Sequence, residues 1–292
     1  MNNIIDINHL TKYYGKERGI TDVSLTVSPG EIFGFMGPNG AGKSTTIRLL
    51  MGLITPSSGD LSIFGKDIRK NQVELRSRIG YMPSEAMFYP SMKVEEVIRL
   101  IAKLHKKDCK KMAAQLCERL QVDTNKRIDA LSLGNRKKIS IICAMQHEPE
   151  LYILDEPTSG LDPLMQKEFF DILMERHQQG ATLFLSSHIL SEIQRYCQKV
   201  AVVREGKIIA LDTVHQLSKK HAKKIKITGI TSLPQIDGCM DVNPTSEGVS
   251  FLFNGEMKGL LSALNGLPIS DLMIEEPSLE EIFMRFYEKE AN

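Results

Sequence analysis

Gly37-Pro-Asn-Gly-Ala-Gly-Lys-Ser44 is the stretch that decides how this chain folds. It fits the pattern GxxxxGK[ST], in which closely spaced glycines let successive backbone N–H groups turn toward phosphate oxygens. Its flanks suit that chemistry. Glu31-Ile-Phe-Gly-Phe-Met36 is a short apolar run that reads as a strand, and Thr45-Thr-Ile-Arg-Leu-Leu-Met51 reads as the opening of a helix. A helix N-terminus aimed at the loop adds the positive end of its dipole. Gly37, Pro38, Asn39, Gly40, Ala41 and Gly42 are therefore expected to cradle the phosphates of a nucleotide, with Thr45 completing the contacts. Lys43 would neutralise the β- and γ-phosphates, and the Ser44 hydroxyl would ligate Mg²⁺.

Working outward, Leu151-Tyr-Ile-Leu-Asp-Glu156 is a second buried strand, and it ends in two carboxylates. Asp155 is placed to hold Mg²⁺ through water near Ser44, and Glu156 to orient or deprotonate the water that attacks the γ-phosphate. Thr182-Leu-Phe-Leu-Ser186 is apolar on both faces as well. Strands of that kind belong in a mainly parallel sheet covered by helices. Ile4–Asn8 and Val23–Val27 read as half-buried strands at a sheet edge. From about Val94 to Cys143 the pattern turns helical and charged, which predicts a helical insertion at about 90–145. Lys199–Arg204 and Lys207–Leu211 flank Glu205-Gly206, a hairpin turn.

Composition shifts near residue 218. Lys219-Lys-His-Ala-Lys-Lys224 is a basic run and reads as a solvated linker rather than a surface for anionic lipid or nucleic acid. Beyond it come short strands, a helix at Glu256–Asn265, a strand at Asp271–Ile274 and a last helix capped by Ser278 and Glu281. The expected domains are 1–218 and a small α+β accessory domain at 219–292.

Composition excludes other classes. Of 292 residues, 42% are hydrophobic and 25% charged, which rules out disorder, collagen and coiled coil. A net charge of +1 gives no global field to recruit nucleic acid. No apolar run approaches the roughly 18 residues a bilayer span needs. Met1–Gly15 lacks the pattern of a signal peptide, and the five scattered cysteines form no CxxC pair, so a cytosolic chain with reduced thiols is expected.

Four further segments carry a family likeness: Leu131-Ser-Leu-Gly-Asn135, Ser159-Gly-Leu-Asp162, Ser186-Ser-His188, and Tyr14 just before Gly15. With the phosphate loop and the acidic strand, they resemble the ATP-hydrolysing subunit of an ABC transporter over roughly residues 4–218. The resemblance implies an α/β fold of the P-loop NTPase type, a mixed sheet with flanking helices and a helical insertion. It implies that Tyr14 stacks on adenine, that His188 is the switch histidine, and that Asp162 contacts nucleotide from the loop after the catalytic Glu. Two such subunits, identical or homologous, would pair head to tail, with Ser132 and Gly134 facing ATP bound to the other. A separate transmembrane permease subunit would complete the machine and place this chain, cytoplasmic and peripheral, on the inner face of the cell membrane.

The tail Glu276-Pro-Ser-Leu-Glu-Glu-Ile-Phe283 further resembles exporters of drugs, bacteriocins, antimicrobial peptides and sodium. A soluble cassette ATPase and an ATP-dependent switch or immunity module are the alternatives. Two departures stand out. Gly80-Tyr-Met-Pro83 is followed by Ser84 and Glu85 where the family has a Gln that contacts Mg²⁺, so either residue is a candidate for that role. The signature has Leu133 for a Gly and Asn135 for Gln, with Ser132 and Gly134 kept. The permease is expected to dock near Ser84–Pro90, where Met87, Phe88 and Tyr89 either pack down onto the core or form an exposed, adaptable apolar patch.

Overall fold

Three strands are buried at every position: β3 (Ile32–Met36), β7 (Leu151–Asp155) and β8 (Thr182–Ser187). The computed structural model, which describes residues 3–219 and 223–275, places them together in a six-stranded sheet. The chain reaches it through β1 (Ile5–Tyr14) and β2 (Glu17–Val27), then β3 and α1 (Lys43–Leu50). After these come β4 (Ser58–Ile63), β5 (Lys66–Asp67), α2 (Gln72–Ser77) and β6 (Ile79–Met82). Three helices follow before β7: α3 (Val94–His105), α4 (Lys110–Arg119) and α5 (Leu133–Met145), the expected insertion. Then come α6 (Pro163–Gln178), β8, α7 (Leu190–Tyr196), β9 (Lys199–Arg204) and β10 (Lys207–Thr213).

The six-stranded order is β10-β9-β3-β8-β7-β6, and the pairs β9/β3, β3/β8, β8/β7 and β7/β6 are parallel. Parallel neighbours need a covered crossover, which the helices supply. Phe33 stacks on Phe184 across β3 and β8 with ring centroids 5.6 Å apart, closing the core under the phosphate loop. The first two strands, read from sequence as half-buried strands at a sheet edge, do not belong to this sheet. They form a separate antiparallel sheet in the order β2-β1-β4-β5. Alternating burial signals one covered face, but it does not name the covering layer. Here Ile5, Ile7, Val23 and Leu25 pack in one core with α1 and the larger sheet.

The chain divides into two units, Met1–Leu211 and Asp212–Asn292. The division falls within β10, before the expected linker, and β10 is followed directly by α8 (Val214–Lys219), where Gln216 N donates to Thr213 Oγ1 at 3.1 Å. The second unit continues with β11 (Lys223–Thr228), β12 (Cys239–Pro244), β13 (Gly248–Phe253), α9 (Met257–Leu264) and β14 (Asp271–Glu275). Its antiparallel order is β12-β13-β11-β14, and its core gathers Ile225, Ile227, Phe251 and Phe253 with Leu260 and Leu264 of α9. The tail Glu276–Phe283, its cap at Ser278 and Glu281, and part of the basic run lie outside the described residues.

Candidate nucleotide site

The loop between β3 and α1 is held in shape by its own backbone and by two neighbours. Lys43 Nζ donates to Gly37 O at 2.8 Å and to Pro38 O at 3.1 Å. Thr46 Oγ1 donates to Gly42 O at 3.1 Å. Gly42 sits at φ +105°, and a Cβ there would lie 2.7 Å from Ile20 Cγ2, so only glycine fits. The β9–β10 turn braces the loop from outside, where Gly206 N donates to Ala41 O at 2.9 Å. Both turn residues, Glu205 and Gly206, have positive φ, as a two-residue hairpin turn requires.

A cleft of about 200 Å³ opens on this loop. Asn39, Gly40, Gly42, Lys43, Ser44 and Thr45 line it, with Tyr14 at the rim and Glu156 opposite. Gly37, Pro38 and Ala41 shape the turn beneath. Arg18 and Gly19 also line the cleft, and the sequence reading missed both. A signal existed: pairing β1 with β2 around Gly15 puts Arg18 directly across from Tyr13.

The acidic strand delivers its carboxylates through β8, which lies between β3 and β7. Asp155 is buried, and its Oδ1 accepts a 2.6 Å hydrogen bond from Ser186 Oγ on β8. Glu156 follows at φ +46°, a left-handed turn that swings its side chain off the sheet, and its N–H donates to Ser186 Oγ at 3.1 Å. Glu156 Oε1 then lies 3.1 Å from Lys43 Nζ, and Oε2 lies 3.1 Å from His188 Nδ1. Burial pushes the Glu156 carboxyl up, but Lys43 by hydrogen bond and charge, with His188 behind it, outweighs burial and holds it below the ordinary value of 4.5. The loops on either side of His188 and Glu156 share one anchor, the buried carboxylate of Glu192. It accepts from Thr158 Oγ1 and from Ser187 Oγ, both at 2.6 Å.

Other expected residues stand apart from the cleft. Ser132 is exposed and caps α5, its Oγ accepting from Asn135 N at 3.3 Å. Asp162 does not line the cleft as expected for a nucleotide contact. It is the N-cap of α6, with Oδ1 accepting from Met165 N at 3.0 Å and Pro163 in the first turn, a cap pattern readable from sequence. Gly134 lies against the loop before Asp162, where an added Cβ would meet Gly160 O at 2.8 Å. Gly134→Ala must therefore displace backbone. At an overpacking cost of about 1–3 kcal/mol, its melting temperature is expected to fall by roughly 2–4 °C per kcal/mol. An unchanged thermal transition would contradict the close approach.

The loop after β6 differs from expectation in one respect. Met87 and Tyr89 are exposed, at 91% and 71%, but Phe88 is half-buried. The exposed patch is therefore two side chains separated by a half-buried one. Glu85 is exposed, and Ser84 is half-buried with its carbonyl accepting from Lys137 Nζ at 2.8 Å. Burial lowers the Lys137 ammonium to about 8 against the opposing pull of Asp155 and Glu156. Sequence reading missed Lys137, because Arg136-Lys-Lys138 looks like a solvated helix face.

A phosphate loop on β3, one strand removed from an acidic strand whose last carboxylate meets the loop's lysine, defines a P-loop nucleotide hydrolase. Residues 20–159 match the ABC transporter family model. The chain is 34% identical to the bacitracin transport ATP-binding protein BcrA of Bacillus licheniformis, over 98% of this chain and 97% of that protein. It is 28% identical to the linearmycin resistance ATP-binding protein LnrL of Bacillus subtilis (strain 168), over 96% of this chain and 97% of that one. Among solved structures it is similar to an ATP-binding subunit of an ABC transporter, with a TM-score of 0.71 and 30% identity over 74% of this chain and 92% of the other. The chain belongs to the ABC transporter ATP-binding protein family. It binds ATP and is the ATP-hydrolysing motor subunit of a transporter.

Proposed function

We propose that this subunit drives export through a separate membrane protein, with Glu156 as the group that orients or deprotonates the attacking water. The observation that supports the site assignment is the position of the Glu156 carboxylate, held between Lys43 and His188 at the edge of the phosphate cradle. Lys43 and the loop amides hold the triphosphate, Tyr14 covers the base, and His188 contacts the γ-phosphate side. Ser44 and the buried Asp155 offer hard oxygen donors of the kind Mg²⁺ prefers, so the residues present fit that ion. Mg²⁺ would supply charge neutralisation to the phosphates there. Asp155 would be kept in orientation by Ser186.

The exposed N-terminus of α5, with Ser132 and Gly134, suits a surface offered to nucleotide bound by a second copy or a homologous subunit. ATP between the two copies would then hold the pair together, and loss of the γ-phosphate would loosen it. Export is favoured by the names of full-length relatives, which are a bacitracin transport protein and a linearmycin resistance protein. Among the described residues no helix is long and apolar enough to cross a membrane. The subunit would sit at the cytoplasmic face, carried by a polytopic permease.

Docking near Ser84–Pro90 is supported by the exposed Met87 and Tyr89, which suit an amphipathic helix. The double substitution Met87→Asp/Tyr89→Asp is expected to leave ATP affinity within about twofold, because neither side chain lines the cleft. It should abolish copurification with the polytopic subunit from detergent-solubilised membranes. A double variant that copurifies like the parent places the docking surface elsewhere.

A further inference from the structure

Lys137 occupies the second turn of α5, and its side chain is only 2% exposed. Burying an ammonium costs several kcal/mol unless partners offset it, so what surrounds this one is informative. Its Nζ donates to Ser84 O at 2.8 Å. Parallel pairing sets Met82 of β6 beside Leu154 of β7, so the chain leaves β6 at Ser84 level with the carboxylates that end β7. Asp155 and Glu156 both favour the charged form of Lys137. Lys137 therefore ties the helix that Ser132 caps to the loop that Ser84 begins, within electrostatic reach of the strand end bearing Asp155 and Glu156.

We propose that Lys137 is a positioning residue for ATP hydrolysis, tying the start of the Ser84–Pro90 loop to α5 and keeping a positive charge within reach of the two carboxylates at the end of β7. The proposal rests on the assignment of Glu156 to the attacking water. Ser84 stands where the resembled family has a Gln, and its side chain ends one atom beyond Cβ, so it cannot span from loop to site. Lys137 makes the connection from the opposite direction, from α5 onto the loop's backbone. Because the acceptor is a carbonyl, the link is indifferent to which side chains the loop carries. It also joins the helix facing a second copy to the loop facing the membrane partner, so a shift of either is felt at the carboxylates.

A merely structural role makes a different forecast. Lys137→Met takes the donor from the Ser84 carbonyl, and an acceptor left without its partner costs stability, so the full-length variant should melt a little lower than the parent but stay folded. Turnover is nevertheless expected to fall about tenfold or more, the size of one charge-assisted hydrogen bond acting in the transition state. Affinity for a fluorescent ATP analogue should stay within about twofold, since Lys137 does not line the cleft. Lys137→Arg, which keeps a donor and the charge, should recover turnover to within about threefold.

Parental turnover in Lys137→Met overturns the proposal, as does a loss of turnover matched by an equal loss of affinity. Arg behaving no better than Met overturns it too. Glu156→Gln run in parallel separates the two levels. If that variant still turns over, the site assignment fails and takes the proposal with it. An inactive Glu156→Gln beside a fully active Lys137→Met sinks the proposal alone.

Discussion

Glu156→Gln is expected to keep ATP affinity and to slow turnover by about 10²-fold or more, the usual contribution of a positioned general base. The substitution is nearly isosteric, and a Gln tolerates the φ of +46° at this position about as well as a Glu. What it removes is the charge that meets Lys43 and His188, each at 3.1 Å, and the capacity to take a proton. A variant that binds but does not hydrolyse should also accumulate as an ATP-held dimer, so hydrolysis and sizing-column mass are measured together. Near-parental turnover would remove Glu156 from the mechanism. The pH dependence has a defined sign. Burial raises the Glu156 carboxyl, Lys43 and His188 lower it further than burial raises it, and the net position is below 4.5. The ionised form, and the stability its contacts contribute, is present above the unfolded-state value and is lost only as pH falls through the lower folded value. The acid limb of turnover should therefore lie below the ordinary carboxylate range.

Lys43→Ala is expected to weaken ATP binding itself by roughly 10- to 100-fold, the loss of a charge-assisted contact to phosphate. Lys43 is 5% exposed, so its charge acts in a site where solvent screens little. The Gly37 and Pro38 carbonyls and the Glu156 carboxylate all lose their shared partner at once. With the lysine gone, the two largest influences that lower Glu156 are lost, and the acid limb of any residual turnover should move up in pH. A fluorescent-nucleotide titration showing parental affinity would contradict the role. An acid limb that stays in place would show that His188 alone suffices to hold the carboxylate low.

How far the sequence could be read depended on whether a residue's role was local. Gly37–Ser44 was legible because strand, loop and helix are contiguous and each glycine has a nearby reason to be there. Leu151–Glu156 was legible because burial on both faces leaves an uninterrupted apolar run. The sheet containing β1 and β2 was not assigned, since alternation reports one covered face and says nothing about what covers it. Asp162 is a nucleotide contact only by resemblance, whereas Asp-Pro before a helix reads locally as a cap, and the cap is present. Lys137 had no local signal. Its burial comes from a loop 53 residues away in the chain, and a lysine beside two other cations reads as solvated. Met87, Phe88 and Tyr89 are consecutive apolar residues in a loop without regular structure, so sequence alone does not say that Phe88 is half-buried while its two neighbours are exposed.

Glu192 has a consequence for how motion at this site is observed. Its buried carboxylate grips Thr158, two residues past Glu156, and Ser187, the residue before His188. Each grip is a hydrogen bond to a charged group, and releasing one costs about 1.5–3 kcal/mol. Fewer than about one molecule in ten would then have one loop displaced while the other stays, at the lower end of that cost. The two loops should exchange as a single body, with one rate constant rather than two. A fluorine or nitroxide label near His188 would consequently time the movement of Glu156 as well. Glu192→Gln, with one acceptor oxygen fewer, should split that single relaxation into a fast and a slow phase.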